Sequence, residues 1–360
     1  VTEAAGPPED DELEITLLGA GYGESIVLHV GGGAWVVVDS FLDGDGRPGA
    51  LRYLESIGLE PARSVALIVA THWHDDHIRG MARLVELCPN ARFCCAGALC
   101  GMEFLTLVGA LEGRHFSATG SGLREIHGVF SQLDGIGKMP IHALANRVVF
   151  RKGGCTISSL SPGDGAFQRF LASVGGLIPG RGENKKRIRS FSPNEVAVAL
   201  WVECGGSSLL LGADLDRKGW VAILADADRP PGRASVYKIP HHGSSNADEP
   251  AVWERMLEDE PAAVLSPWRR GRGALPTRRD TDRILGAVRN VWITDSGAAG
   301  EATFRHGNSA VERTLRESGV RIRRLADDAG MIRLRRRLGS TGDWKVRKFG
   351  NACHLRDYAV

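Results

Sequence analysis

The apolar run Val65–Ala70 breaks directly into Thr71-His72-Trp73-His74-Asp75-Asp76-His77. An unbroken run of this length and β-branched character reads as a strand buried on both faces. Beyond the cluster, Ile78, Met81, Leu84, Val85 and Cys88 recur at helical spacing until Pro89-Asn90 stops them. The sequence therefore predicts a packet of imidazoles and carboxylates at a strand end that opens a helix. His72 and His74 point the same way on an extended turn. Asp76 and His77 lie past the turn and face a second direction. Imidazole nitrogen and carboxylate oxygen are donors for a zinc-like ion. The competing reading is a solvated histidine-rich turn.

One turn cannot complete two coordination shells, so distant segments must contribute. Leu209–Leu211 is an apolar strand that breaks at Gly212-Ala213-Asp214. Tyr237–Ile239 is another, breaking at Pro240-His241-His242-Gly243-Ser244. A carboxylate at a buried strand end needs a partner, and a cation satisfies it. Asp214 is expected to bridge two ions. His241, nearest its strand, is expected to serve the second ion. Three roles stay open for His242: ligand, hydrogen-bond donor or proton shuttle.

Short strand-like runs alternate with helical patterns from Leu13 to Phe349, without a repeat or a clean linker. That order predicts one layered domain over 13–350. Irregular insertions are expected near 113–140 and 163–193. The opening VTEAAGPPEDDE is acidic and proline-containing, so residues 1–12 read as a disordered tail rather than a signal peptide. No apolar stretch approaches the ~20 residues of a membrane span. No membrane partner is expected, and the location is expected to be cytoplasmic. Net charge is +2, so no global field points to nucleic acid. The seven cysteines lack paired zinc-ribbon spacing and read as free thiols in a reducing compartment. Oligomeric state is not legible.

The cluster at residues 72–77 resembles the signature of the metallo-β-lactamase superfamily. The order that follows is more particular. Gly19-Ala20-Gly21-Tyr22-Gly23-Glu24-Ser25 precedes a strand ending in Asp39. Pro193-Asn194-Glu195-Val196-Ala197 opens another strand. Leu210–Leu215 and Lys238–Ser244 come next. This series resembles the β-lactamase-like domain of ComEC and its soluble relatives, over roughly residues 13 to 300.

The resemblance implies an α+β fold, a four-layer αββα sandwich with metals at one edge of two sheets. It implies His72 and His74 on the first ion, and Asp76 and His77 on the second. Asp214 would bridge, His241 would complete the second site, and Asp39 would steady the ligand turn. Asp76 and His242 are the expected catalytic groups. Superfamily members usually carry a third histidine for the first ion where this chain has Asn194. The first ion is therefore expected to be weakly held, completed by water or absent. His115, His127 and His142 have no spacing that recommends them as substitutes. One or two Zn2+ ions are expected. Asn194 tilts the choice slightly toward a harder ion such as Mn2+.

A hydroxide on such an ion attacks carbonyl or phosphoryl centres. The resemblance and local charge favour a phosphodiester, in nucleic acid or a nucleotide. Trp268-Arg269-Arg270-Gly271-Arg272 should lie on the ligand-bearing edge, with Lys185, Lys186, Arg187 and Arg189 in the long loop. Asn194, Ser244 and Arg269 are therefore expected to support the ligands or touch substrate. Arg333, Arg335, Arg336 and Arg337 are expected on the outer face of a terminal strand. A lactam, thioester or lactone hydrolase, or a non-catalytic metal-binding module in a larger assembly, are the alternatives.

Overall fold

The computed structural model describes residues 6–19, 21–100, 122–175, 193–270, 273–297 and 330–359. The chain begins with three antiparallel strands, β1 (Glu12–Gly19), β2 (Glu24–Val30) and β3 (Trp35–Val38), then helices α1 (Gly49–Ser56) and α2 (Pro61–Ser64). Parallel strands β4 (Val65–Ala70), β5 (Arg92–Ala96) and β6 (Ile141–Ala143) extend this sheet, with α3 (Asp75–Ile78), α4 (Met81–Leu87) and α5 (Gly122–Gly135) between them. The helical pattern after the histidine cluster is split in two. Gly80 sits at φ +80° between α3 and α4, where a Cβ would lie 2.5 Å from Leu42.

The second sheet takes β7 (Arg147–Lys152), β8 (Cys155–Ser159), β9 (Leu200–Cys204), β10 (Ser207–Leu211), β11 (Ala234–Lys238) and β12 (Leu257–Leu265). Helices α6 (Asp164–Gly175), α7 (Arg217–Ala225) and α8 (Pro250–Met256) lie along its course. A small hairpin, β13 (Trp268–Arg270) and β14 (Gly273–Leu275), precedes α9 (Arg278–Ala287) and β15 (Val291–Ile293). β16 (Gly330–Arg337) and β17 (Lys345–Phe349) return to the first sheet beside β1, and β18 (Cys353–His354) closes the second beside β15. Two eight-stranded mixed sheets result.

Alternation along single strands shows how the layers pack. In β9, Leu200 and Val202 join the apolar core shared with the first sheet, whereas Trp201 joins Leu210, Trp220, Tyr237 and Ile284 in a second core under α7, α8 and α9. On the first sheet, Leu51 and Leu54 of α1 and Met81 and Leu84 of α4 enter the shared core from its outer side. The fold is the helix–sheet–sheet–helix sandwich of the metallo-β-lactamase type.

Several boundaries differ from the sequence reading. The expected tail is ordered from Gly6: Pro8 is buried, and the Arg335 guanidinium donates to the Gly6 carbonyl at 2.8 Å. Helices α5 and α6 lie in segments read as irregular. In α5, Leu123, Ile126, Val129 and Leu133 are buried at helical spacing, diluted in the sequence by glycine, serine and histidine. The sheet also continues past residue 350 through β18. The arginines of β16 do not all face solvent, because β16 is an inner strand between β1 and β17. Arg333 is buried over the Phe349 ring, Arg336 is buried over Trp344 and donates to Ser207 and Ser235, and Arg335 pairs with Glu14. Arg337 is exposed. All seven cysteines are free, five of them buried. No helix among the described residues is long and apolar enough to cross a membrane.

Candidate metal centre

Both sheets end their parallel strands at the same edge, and the expected ligands meet there. β4 delivers His72, His74, Asp76 and His77 from the first sheet. β10 and β11 deliver Asp214, His241 and His242 from the second. Four of the five non-glycine residues with positive φ among the described residues lie at this edge: Asp39 (60°), Ala213 (46°), His241 (47°) and His242 (53°). Left-handed backbone costs an ordinary residue roughly 1–2 kcal/mol. Such strain persists where the surrounding structure enforces it, and it gathers at functional sites.

Asp214 is the hub. It is buried, with Oδ1 3.3 Å from His77 Nε2 and Oδ2 3.9 Å from His72 Nε2, 3.9 Å from His241 Nε2 and 3.8 Å from His242 Nε2. His72 Nε2 lies 3.1 Å from His74 Nδ1. Ligand atoms of His72, His74 and Asp214 fall within 4.8 Å of one another, a spacing that can hold a cation. His77 Nε2 and Asp214 Oδ1 are buried without a hydrogen-bond partner, as is Asn194 Oδ1. Buried polar atoms are rarely left so. Orphaned imidazole and carboxylate atoms aimed at a common point fit a divalent ion.

The two adjacent histidines divide differently from the sequence reading. His242 is the buried one, with Nε2 3.2 Å from Asp76 Oδ2. His241 is partly exposed and points toward Asn194, whose Nδ2 lies 3.5 Å from its Nε2, while its Nδ1 meets Asn246 Oδ1 at 2.8 Å. His241, chosen in the sequence as the residue nearer its strand, is the shallower of the two, and both residues take left-handed backbone. Asn194 thus stands beside His241, where the superfamily usually has its own histidine.

Behind the ligands lies a polar layer. Asp39 accepts from His77 Nδ1 at 2.8 Å and from the Thr71 amide and hydroxyl at 2.8 and 2.7 Å. The Thr71 hydroxyl also meets His72 Nδ1 at 2.9 Å. Glu24, which no spacing argument had singled out for chemistry, is buried and paired with the fully buried Lys238. Ser266 donates to Glu24 and faces His242 Nδ1 at 3.3 Å. The sequence signal for this pair was a carboxylate directly after the Gly-rich turn, at the start of β2, and a lysine inside an apolar strand.

Electrostatics separate the rings. Burial, reinforced at His72 by His77, pushes His72 well down and His74 down, so both are neutral and ready to donate a lone pair. Burial opposes charge on His77 too, but Asp214 and Glu24 outweigh it and push that ring well up. His242 is likewise raised against burial, by Asp214 and Asp76. Asp214 is held well down despite burial because His77 and His242 face it, and Asp76 is lowered through its bond to His242.

The remaining candidates make other contacts. Ser244 closes the turn through its amide, which donates to the His241 carbonyl at 2.9 Å. The Arg269 guanidinium donates to the Ala359 carbonyl at 3.3 Å, lies 3.8 Å from Asp295 and sits over the Tyr358 ring. His142 is in β6 and His127 in α5. His115, Lys185, Lys186, Arg187, Arg189, Arg272 and the Arg270 side chain lie outside the described residues. A cavity of about 600 Å3, lined by Asn194, Asp216, Arg217, Lys218, Val221 and Asn246, opens beside His241.

Residues 18–134 match the family model of the metallo-beta-lactamase superfamily. Among curated proteins no match is found. Solved structures with similarity include a metallo-beta-lactamase motif mutant from Cronobacter sakazakii, at 16% identity and a TM-score of 0.34, covering 62% of this chain and 75% of that one. The metallo-beta-lactamase fold protein YhfI from Bacillus subtilis is 12% identical with a TM-score of 0.37, covering 71% and 85%. The hydrolase AbOPH of the beta lactamase superfamily is 12% identical with a TM-score of 0.37, covering 59% and 75%.

Proposed function

We propose that this chain is a metal-dependent hydrolase of a phosphodiester, in nucleic acid or a nucleotide. The observation that carries the hydrolase reading is the convergence of four imidazoles on Asp214, with its Oδ1 and His77 Nε2 3.3 Å apart, both buried and neither in a hydrogen bond. His72, His74 and His241 would hold a first ion. Asp76, His77 and His242 would hold a second, with Asp214 between the two. Of the three roles left open for His242 this reading takes that of ligand, and it gives His241 to the first ion rather than the second, because Nε2 of His242 faces Asp76. The imidazole-rich donor set suits zinc, and the amide of Asn194 beside the first position leaves room for manganese.

A bound divalent ion supplies acidified water and a Lewis acid for the transferring oxygen. The chain supplies the rest. Asp39 fixes the His77 ring, so that its Nε2 faces Asp214. Lys218 and Arg217 stand on the wall of the cavity beside His241, Arg217 also pairing with Glu249 at 2.8 Å. Cations there favour an anionic ester over a lactam or lactone.

The test is elemental analysis of protein purified without chelators, followed by a substrate panel on the same sample. We expect metal, hydrolysis of a model phosphodiester such as bis(p-nitrophenyl) phosphate, and little action on a lactam, thioester or lactone. Metal-free protein that hydrolyses none of them sinks the reading. Hydrolysis confined to a lactam, thioester or lactone keeps the hydrolase and replaces its substrate. Metal with no hydrolysis turns the chain into a binding module.

A further inference from the structure

The buried pair of Glu24 and Lys238 is left without a part in the chemistry above. We infer that this pair is a positioning device for the second metal position, acting on His242, His77 and Asp214 from behind. The inference rests on the metal reading just given and names residues that serve that site without touching its ions.

Glu24 is 2% exposed and Lys238 is fully buried. Burying such charges is costly unless each is paired and hydrogen-bonded. The carboxylate Oε1 binds the Lys238 ammonium and lies 3.7 Å from His77 Nδ1. Oε2 accepts from the Ser266 hydroxyl and lies 3.8 Å from His242 Nδ1. The Lys238 ammonium in turn donates to the carbonyl of Ala213 at 3.0 Å. Ala213 is the left-handed residue immediately before Asp214.

Three consequences follow from these contacts. The Ser266 proton is committed to Glu24, so its oxygen presents a lone pair to His242 Nδ1 at 3.3 Å. The Ser266 carbonyl, at 3.2 Å, can only accept. Both demand a proton on Nδ1, which leaves the Nε2 lone pair free and facing Asp76 and Asp214. Glu24 also stands behind His77 Nδ1, adding to the hold of Asp39. Lys238 ties the strained turn that aims Asp214. Glu24, His77 and His242 bring ligand atoms within 4.8 Å of one another on this rear side. An ammonium already in contact with Glu24 makes that a place for a built-in cation, not a third metal.

Removing one charge alone would leave the other buried and unpaired, so the informative variant removes both, Glu24→Gln with Lys238→Met. Its folding is followed by thermal unfolding. Affinities for two equivalents of Co2+ are read by competition with a chelator and by the visible bands of the two ions. We expect the folded double variant to bind the second ion about 10–100-fold more weakly, the range typical of partners behind a ligand, and the first, which shares only Asp214 with this device, distinctly less weakened. Two ions bound with unchanged affinities overturn the inference, and so does equal weakening of both. If the double variant does not fold, Ser266→Ala removes the hydroxyl that links Glu24 to His242 and leaves the Ser266 carbonyl on Nδ1. The second ion should then weaken several-fold with the first unchanged, and no change overturns the inference. No step of this test depends on hydrolysis, so a wrong substrate leaves it standing. An unaltered chain that binds no Co2+ sinks the metal reading itself.

Discussion

The two metal positions proposed above would share Asp214 but are built differently. Around the second, His77, His242 and Asp76 are all buried, and Asp39, Glu24, Lys238 and Ser266 stand behind them. Around the first, His241 is 20% exposed in its side chain and is oriented by the neutral amides of Asn246 and Asn194. His72 leans on a threonine hydroxyl. One half is fixed by buried charge and the other by neutral groups at a cavity mouth. The difference teaches where rigidity has been placed. On the proposed reading the second position would be preorganised, and the first, with partly exposed His241 beside the cavity, would be the exchangeable one that meets substrate.

The largest effect should come from the residue both halves use. Asp214→Ala is expected to abolish binding of both ions and to lower hydrolysis by more than about 10³-fold, a scale on which ligand loss removes the whole metal contribution. Elemental analysis and turnover check it. One ion retained at full affinity would show that the halves do not share Asp214. Asp76→Ala should likewise lose activity while remaining folded by circular dichroism.

The paired variants His241→Ala and His242→Ala sharpen the contrast. Each should weaken a single ion, the first for His241 and the second for His242, in a two-step chelator competition. If both remove the same ion, the division drawn here is wrong. Asp39→Asn should cost about 10–100-fold in affinity for the second ion, whose His77 it holds directly, and less for the first, which it reaches only through Thr71.

Protonation gives a smaller, signed contrast. In the metal-free chain His77 and His242 are raised above the model-peptide value of ~6.5, so their contribution to stability is present below ~6.5 and lost as pH climbs through the folded values. His72 and His74 are depressed, so theirs is present above ~6.5 and lost as pH falls through the folded values. Loading the second position just above pH ~6.5 should therefore release protons, whereas the first should load with little release. Unbuffered titration with a pH electrode measures this. Equal release at both steps would remove the distinction. Smallest of all, Lys218→Ala should raise KM for a phosphodiester about 10-fold with kcat little changed, the pattern of lost ground-state binding.

The strand ends at Ala70, Leu211 and Lys238 and the residues 72–77, 214, 241 and 242 were all legible, because an apolar run stopping at a polar cluster is a local signal. The different burial of His241 and His242, on which their proposed division of labour rests, was not. It depends on two left-handed residues in succession, which no alternation rule anticipates. Glu24 was hidden for another reason. Its meaning comes from Lys238 and Ser266, which are 214 and 242 positions away, and a lone carboxylate in a glycine-rich turn reads as solvated. Helices α5 and α6 were missed because small and polar residues blur their apolar stripes. Arg269, in a cationic run near the expected site, has its guanidinium beside Asp295, over Tyr358 and on the Ala359 carbonyl, contacts that the sequence did not announce.

Every ligand pair that faces Asp214 from β4 does so across the seam between two sheets. A divalent ion lodged there is a rivet through the two halves of the sandwich. An ion at a hundred times its dissociation constant adds about 2.7 kcal/mol to the folded state, and here that increment resists the sheets parting. Stripping the metal should thus loosen the joint as well as silence the chemistry, and metal supply becomes a control on the lifetime of the protein as much as on its turnover.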